Sequence, residues 1–290
     1  MKELPWIKNA LLPLSWVYGA ITDIRNFLFD NGIMHSEKVP QKVIVVGNLT
    51  VGGTGKTPVI EYLTRIFAKQ TPTAILSRGY GRRTTGFIEA DSSATAATIG
   101  DEPFQFYSKF SPEAIVAVCE KRVEGAMQIH RRYPGIRLLL LDDAFQHRAI
   151  RRDINILLSD YNRPFYEDHP FPAGRLRERR RGALRSDAVI VTKCPAELPA
   201  DEKQNITESI SRYTRAGIPV FFATTRYDVP RSYEGAPVAL KNVKMAAGIA
   251  NPLPFAAYLT TRFGVTDQQV FPDHYNYTPS DVEDLIKNLK

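Results

Sequence analysis

A glycine-rich stretch over residues 47–58 constrains the fold of this chain more than any other feature. An apolar run over residues 42–46 leads into it, and a helical pattern over residues 59–69 follows. Gly52, Gly53 and Gly55 allow backbone N–H groups to converge on phosphate oxygens, which is typical of a phosphate-binding loop between a strand and a helix. Thr50 stands where the strict Gly-x-x-x-x-Gly-Lys-Ser/Thr pattern has its first glycine. The sequence therefore predicts a variant nucleotide-binding loop.

Two side chains at the end of this loop carry the expected chemistry. Lys56 is expected to reach the outer phosphates as a point charge, and Thr57 to offer its hydroxyl to Mg²⁺. The predicted nucleotide-binding residues are Thr50, Val51, Gly52, Gly53, Thr54, Gly55, Lys56 and Thr57. The alternative interpretation is a glycine-rich connection that binds no phosphate, and the order of strand, loop and helix disfavours it.

The rest of the chain predicts an α/β fold. Its Val-, Ile- and Leu-rich runs do not alternate with polar residues, which indicates strands buried on both faces of a mostly parallel sheet covered by helices. The candidate strands cover residues 42–46, 73–77, 114–119, 137–142, 154–159, 188–192, 220–223 and 244–249. Residues 86–99 are small and polar and predict a hairpin or a flexible excursion. A basic stretch at 148–152 suggests a nucleotide-binding domain over residues 1–150 and a second, smaller α/β domain over 151–290.

One of these strands ends in two carboxylates, Asp142 and Asp143. A parallel strand delivers the side chains at its carboxyl end to the crevice where ligands bind, and a carboxylate there can hold Mg²⁺ directly or through water. Asp142 and Asp143 are therefore candidate metal ligands together with Thr57. The alternative is a pair of solvated turn residues.

The first 29 residues form an apolar segment that contains Trp6 and Trp16. Its longest uncharged run is shorter than the roughly 20 residues of a membrane-spanning helix, and Pro13 interrupts it. We expect an amphipathic helix that either lies at a membrane interface or packs on the protein's own core. The formal net charge of +7 favours phosphate-bearing partners. The arginine-rich run over residues 175–185 lacks interleaved aromatic residues, which favours anionic headgroups or a sugar phosphate over nucleic acid.

Five strings of the sequence together resemble the tetraacyldisaccharide 4′-kinase family of lipid A biosynthesis. They are G-N-L-T-V-G-G-T-G-K-T-P at 47–58, S-R-G-Y-G-R at 77–82, G-D-E-P at 100–103, D-D-A-F-Q-H at 142–147 and F-P-D-H-Y at 271–275. The resemblance implies an enzyme at the cytoplasmic face of the bacterial inner membrane. It implies transfer of the γ-phosphoryl group of ATP, with Mg²⁺, to the 4′-hydroxyl of an acylated glucosamine disaccharide 1-phosphate.

The resemblance also implies residue roles. The family's catalytic aspartate corresponds to Asp101, its partner histidine to His274 and the phosphate-loop lysine to Lys56. We expect Arg78, Arg82 and Arg177 to contact the acceptor substrate. A carboxylate can accept the proton of an attacking hydroxyl, and an imidazole can orient that carboxylate. From the residues alone, Asp101 could instead cap a helix and His274 could be an ordinary surface histidine.

Two departures from the family pattern concern Arg175, where many members have proline, and the C-terminus. The family usually continues past the F-P-D-H-Y string with a further strand, so we expect the second domain to be a short or truncated form. The alternative function is a P-loop NTPase that acts as a switch or a metal-delivery chaperone. Such a protein should have a Cys/His cluster, which two cysteines and five dispersed histidines do not provide.

Overall fold

The computed structural model describes residues 5–232, 235–249, 251–273, 275 and 277–287. Its strands are β1 (Lys42–Asn48), β2 (Thr73–Ser77), β3 (Ile88–Glu89), β4 (Ala114–Val118), β5 (Leu138–Asp142), β6 (Ile154–Asp160), β7 (Ala188–Cys194), β8 (Val220–Thr224), β9 (Asn242–Ala247) and β10 (Gly264–Val270). Its α-helices are α1 (Pro5–Asp30), α2 (Lys56–Phe67), α3 (Ala96–Ile99), α4 (Asp101–Phe110), α5 (Arg122–Arg132), α6 (Ala200–Ser211), α7 (Leu253–Arg262) and α8 (Pro279–Lys287).

The first eight strands form one sheet in the order β3-β4-β2-β5-β1-β6-β7-β8. All its pairings are parallel except that of the short β3 with β4, so the predicted α/β class is confirmed. The segment after residue 86 forms β3, an antiparallel strand at the edge of the sheet. Each of the eight predicted strands is present within two residues of its expected ends. The sequence pattern missed β10, which is mostly exposed and lacks a Val- or Ile-rich run.

Strand β1 lies at the centre of the sheet and packs on both faces. Val43 and Val45 belong to the core on the side of α5, where Ile129 is buried. Ile44 and Val46 point to the other face, where they pack in one core with the buried Ile60 of α2 and Phe106 of α4. This double burial explains the unbroken apolar run in the sequence. It also fixes the start of α2 at the carboxyl end of β1.

The division of the chain differs from the predicted boundary at residues 148–152. One compact unit extends to Thr225, and a second begins at Arg226. The chain cannot divide near residue 150, because β6 pairs with β1 and β7 continues the same sheet. The second unit contains the parallel pair β9 and β10, and Met245 and Leu259 are buried in its small core.

Helix α1 packs one side on its own unit, as one of the two expectations for the N-terminal segment requires, and leaves the other side exposed. One side packs on its own unit, where Ala173 N–H donates to Ser15 Oγ at 2.8 Å and Tyr18 Oη donates to the carbonyl of Arg177 at 3.0 Å. The other side exposes large apolar side chains, each about 60% accessible: Leu14, Trp16, Val17, Ile21, Ile24 and Phe27. Among the described residues, none of the helices combines the length and hydropathy needed to span a membrane.

Candidate active site at the carboxyl edge of the sheet

The glycine-rich loop connects the end of β1 at Asn48 to the start of α2 at Lys56. Gly52 (φ 110°) and Gly55 (φ 79°) have left-handed backbone conformations that residues with a Cβ rarely adopt. The Asn48 side-chain amide donates to Thr54 Oγ1 at 2.6 Å and holds the loop across its width. Gly55 precedes the first turn of α2, where no side chain caps the backbone N–H groups. A helix N-terminus of this kind attracts phosphate oxygens through its N–H groups and its dipole.

A second segment pairs with the loop from outside. Val51 N–H donates to the carbonyl of Arg175 at 2.8 Å, and Arg177 N–H donates to the carbonyl of Leu49 at 2.7 Å. Residue 175 therefore supports the loop through its backbone carbonyl, which any residue type provides. Sequence patterns gave no signal for this pairing because the two segments are more than 120 residues apart.

The carboxylate pair lies at the end of β5, beside the loop. Asp142 is 1% exposed, and Ser77 Oγ donates to its Oδ2 at 3.2 Å. Its other oxygen, Oδ1, is buried and has no hydrogen-bond partner. Burial, followed by the charges of Glu102 and Asp143, raises the pKa of Asp142 to about 7. An unpaired buried carboxylate oxygen is costly, and a cation removes that cost.

Asp143 is the more accessible of the two carboxylates and forms ion pairs with two cations. Arg177 Nη1 donates to its Oδ1 at 2.8 Å, and Lys56 Nζ lies 3.8 Å from its Oδ2. Its backbone is in the left-handed region (φ 45°), an unusual conformation for a non-glycine residue that often marks functional sites. The structure therefore brings together Lys56, Asp142 and Asp143, which the sequence analysis predicted as site residues.

The burial of Asp142 predicts a pH-dependent stability for the ligand-free protein. Between the unfolded pKa near 4 and the folded pKa of about 7, the native state binds a proton that the unfolded state has lost, so the free energy of unfolding falls as pH rises through this window. Asp142→Asn removes that proton equilibrium. We expect its Tm at pH 8 to exceed the wild-type Tm by about 2 to 4 °C, the shift that about 1 kcal/mol produces in a domain of this size.

Thermal unfolding followed by circular dichroism at pH 5 and pH 8, without nucleotide or metal, measures the effect. The gain should be smaller at pH 5, where most of the Asp142 carboxyl in the native state is already protonated. Asp153→Asn is the matched control, because Asp153 is also acidic but its side chain is 40% exposed. An Asp142→Asn variant that unfolds more easily than wild type at pH 8 contradicts the prediction.

Helix α4 brings a third acidic position to the loop. Thr57 Oγ1 donates to Glu102 Oε1 at 3.4 Å, and Asp101 begins the helix as an exposed residue. Gly100 (φ 93°), not Asp101, is the N-cap of α4. Sequence reasoning missed Glu102, although it follows Asp101 in the G-D-E-P string. His274 lies outside the described residues.

The acidic side chains near Thr57 that could ligate a divalent cation are those of Glu102, Asp142 and Asp143. No cluster of three His, Cys, Asp or Glu side chains within the described ranges could hold a metal unaided. Mg²⁺ is normally bound by only one or two carboxylates together with substrate phosphates and water. The buried Asp142 Oδ1 and the hydroxyl of Thr57 fit that donor set.

The predicted acceptor-binding arginines differ in their surroundings. Arg78 follows β2 and is exposed to solvent. Arg82 instead turns inward: its side chain is 2% exposed, pairs with Glu120 and donates to the carbonyl of Gly86 at 2.7 Å. It therefore stabilises the loop after β2. Arg177 lies at Asp143, as described above.

Two further cationic or titratable groups at this edge were not singled out from the sequence. Arg122, at the start of α5, is buried and donates to the carbonyl of Cys119 at 2.7 Å. Burial, together with the charge of the neighbouring Arg122, lowers the pKa of His147 to about 4, so the imidazole is neutral near pH 7. His147 belongs to the D-D-A-F-Q-H string, whereas no sequence pattern pointed to Arg122.

Comparison with known proteins gives consistent matches over nearly the whole chain. The family model described as tetraacyldisaccharide-1-P 4′-kinase matches residues 7–290. The tetraacyldisaccharide 4′-kinase of Cytophaga hutchinsonii is 46% identical over 284 residues, which cover 97% of this chain and 80% of that protein. The enzyme of the same name from Flavobacterium psychrophilum is 42% identical and covers 98% of this chain and 84% of its own length.

The fold has a similar counterpart among solved structures. A crystal structure of the "apo" form of LpxK from Aquifex aeolicus in complex with ATP superposes with a TM-score of 0.78. The two sequences are 30% identical, and the match covers 94% of this chain and 85% of the other.

Proposed function

The chain belongs to the tetraacyldisaccharide 4′-kinase family, and we propose that the carboxyl edge of its large sheet is where it performs that family's reaction. It is an ATP-dependent kinase of lipid A biosynthesis, which transfers the γ-phosphoryl group to the 4′-hydroxyl of a tetraacyl disaccharide 1-phosphate. The sequence-based expectations for the family, the fold, the enzyme class and ATP are thus confirmed, and the switch or metal-delivery alternative is set aside. The observation that carries the proposed site is the convergence of Lys56, Asp142 and Asp143 at the mouth of the glycine-rich loop.

The loop and α2 bind the triphosphate in this proposal. Backbone N–H groups around Gly52 and Gly55 face the phosphates, and Lys56 neutralises the charge on the outer phosphates. Asp143 and Lys56 already lie 3.8 Å apart, so the lysine is oriented before the nucleotide arrives. Preorganised charge of this kind needs little rearrangement during the reaction.

Thr57, Asp142 and Asp143 would hold Mg²⁺, which would neutralise negative charge on the triphosphate when bound. Burial and the charges of Glu102 and Asp143 raise the pKa of Asp142, which agrees with this role because a bound cation would stabilise the ionised form. Arg177 donates to Oδ1 of Asp143 at 2.8 Å, whereas Lys56 lies near Oδ2 of the same carboxylate. We infer that Arg177 positions Asp143 and also contributes positive charge to the acceptor site.

Asp101 is the proposed general base. It is exposed at the first position of α4, next to Glu102, whose carboxylate reaches the hydroxyl of Thr57. A carboxylate there can accept the proton that the 4′-hydroxyl loses as its oxygen attacks the γ-phosphorus. His274 is the proposed partner of Asp101 on the strength of the family resemblance. Arg78, exposed after β2, is proposed to contact the acceptor, whereas the enclosed Arg82 supports the loop that carries it.

We propose that the enzyme associates with the cytoplasmic face of the inner membrane through α1. The exposed side of this helix presents Trp16, Ile21 and Ile24, each more than 60% accessible. A contiguous apolar helix face of this size is unusual on a protein that contacts only water. Arg179 contacts the same helix, where its Nη2 donates to the carbonyl of Trp16 at 3.3 Å and its Nη1 is 3.2 Å from Asp23 Oδ2.

The membrane proposal predicts the effect of placing charge on this face. Ile21→Glu combined with Ile24→Glu should weaken binding to vesicles that contain anionic phospholipid by about tenfold or more, since two carboxylates would have to enter the acyl boundary. Cosedimentation with vesicles of defined anionic content measures the partition. Binding of the wild type should also weaken as salt is added, because headgroup attraction is screened.

Tyr62→Glu on α2 is the matched control, because Tyr62 is also an exposed large side chain, 63% accessible, on the same unit. It should leave vesicle binding unchanged. Equal partition of the double variant and the wild type would show that the apolar face does not contact the membrane.

The direct test of the catalytic function uses γ-labelled ATP, Mg²⁺ and an acylated disaccharide 1-phosphate in mixed micelles. We expect the label to enter the lipid at a rate proportional to enzyme concentration. Release of labelled inorganic phosphate without labelled lipid would instead indicate an NTPase.

A further inference from the structure

The end of strand β7 contacts the glycine-rich loop through two consecutive side chains. The Thr192 hydroxyl donates to the carbonyl of Thr54 at 2.9 Å, with the carbonyl of Ser159 farther away at 3.3 Å, and Lys193 Nζ donates to the carbonyl of Gly53. Thr192 is 5% exposed, and its Cβ and Cγ2 lie 3.7 and 3.8 Å from where a Cβ on Gly55 would stand. Two neighbouring carbonyls of the loop are therefore held by one strand end.

These hydrogen bonds restrain two peptide planes of the loop. The N–H of Thr54 donates to the carbonyl of Gly52 at 3.0 Å, so of the two following N–H groups it is that of Gly55 that can face a ligand. In a trans peptide, the C=O and the following N–H point in opposite directions, so a carbonyl drawn toward β7 turns the next N–H away from it. When Thr192 holds the carbonyl of Thr54, the N–H of Gly55 faces away from β7. An anion-binding loop works only if its N–H groups face the ligand and its carbonyls do not.

Lys193 is itself held in place by a carboxylate. Its Nζ lies 2.6 Å from Asp160 Oδ2 at the end of β6, and its backbone is in the left-handed region at φ 58°. A lysine rarely adopts that conformation, and its energetic cost must be offset by the contacts it allows. The contacts that it allows here are those with Gly53 and Asp160.

From these contacts we infer that Thr192 and Lys193 are positioning residues, which hold the Gly53–Gly55 backbone in the orientation that binds the phosphates of ATP. The inference rests on the proposed assignment of this loop as the ATP site. Neither residue needs to touch the nucleotide, because each acts through a backbone carbonyl of the loop. The expected consequence of losing either contact is weaker ATP binding, with the lipid substrate affected much less.

The test compares Thr192→Val with Thr192→Ser. Valine keeps the shape of threonine and removes the hydroxyl, whereas serine keeps the hydroxyl and removes the methyl group. We expect the Kd for ATP, measured by isothermal titration with Mg²⁺ and without lipid, to rise about tenfold in Thr192→Val and to stay within about threefold of wild type in Thr192→Ser. In the kinase assay, Thr192→Val should raise KM for ATP more than KM for the lipid.

Thr214→Val is the control for a buried threonine, because the Thr214 hydroxyl donates to the carbonyl of Ile210 and not to the loop. It should leave the Kd for ATP unchanged. Lys193→Met gives a second measurement and should raise the Kd in the same direction as Thr192→Val. The melting temperature of each variant shows whether a loss of ATP affinity comes from a less stable fold or from a change in the glycine-rich loop.

Equal ATP affinities for Thr192→Val and Thr192→Ser would overturn the inference and leave Thr192 as a packing residue. Lys56→Ala, measured in parallel, tests the assignment of the site. If Lys56→Ala binds ATP as tightly as wild type and retains turnover, the assignment of the loop fails. If Lys56→Ala loses binding while the two Thr192 variants behave alike, only the positioning role fails.

Discussion

Lys56→Ala is expected to lower kcat for phosphoryl transfer by about 10³-fold while the protein remains folded. The ammonium group lies at the start of α2, where Lys56 Nζ is 3.8 Å from Asp143 Oδ2. Its expected contribution is charge stabilisation of the phosphates in the transition state, and removing one such preorganised group typically costs 10² to 10³ in kcat. The labelled-ATP assay with saturating lipid measures the loss.

Lys69→Ala is the matched control, because Lys69 is an exposed lysine just beyond the end of the same helix. It should retain wild-type turnover. Circular dichroism and the melting temperature should be nearly the same for both variants and the wild type. Near-normal turnover by folded Lys56→Ala would refute the role of the loop in catalysis.

Asp101→Asn is expected to reduce kcat by about 10² to 10⁴, equivalent to roughly 3 to 5 kcal/mol in the activation free energy. The substitution preserves size and removes the capacity to accept the proton of the 4′-hydroxyl. ATP affinity should change little, because Asp101 lies on α4 and not on the glycine-rich loop. Single-turnover measurements with saturating ATP separate the chemical step from binding.

The proposed partnership of Asp101 with His274 leads to a second prediction, which concerns the double variant. If the two residues act as a unit, the Asp101→Asn/His274→Ala double variant should be no slower than the slower single variant. Penalties that add in full would instead indicate separate roles for the two residues.

Asp91→Asn is the control for this series, because Asp91 is an exposed carboxylate that accepts from nearby Ser93. It should leave the rate unchanged. A helix-capping role for Asp101 predicts about 1 kcal/mol of lost stability and an intact rate. Full turnover by Asp101→Asn would exclude it as the base.

The amino-acid sequence determined the elements of the fold. Unbroken apolar runs identify strands that are buried on both faces, because only such strands need no polar side. The glycine-rich loop could be identified from the sequence for a similar reason, because its function depends on local backbone conformation. Gly52 and Gly55 adopt positive φ values, which glycine allows more readily than other residues. The carboxylates at the end of β5 were predicted because a parallel strand delivers its last side chains to the ligand crevice.

Tertiary structure alone decided which distant residues support those elements. Thr192 and Lys193 reach the glycine-rich loop because β7 lies two places from β1 in the sheet, and strand order is not encoded in any local pattern. The same holds for the carbonyl of Arg175 and for the inward turn of Arg82, which depend on partners far along the chain or enclosed by packing. Local periodicity records the burial of each segment, whereas contacts between segments follow from the free energy of packing the whole chain.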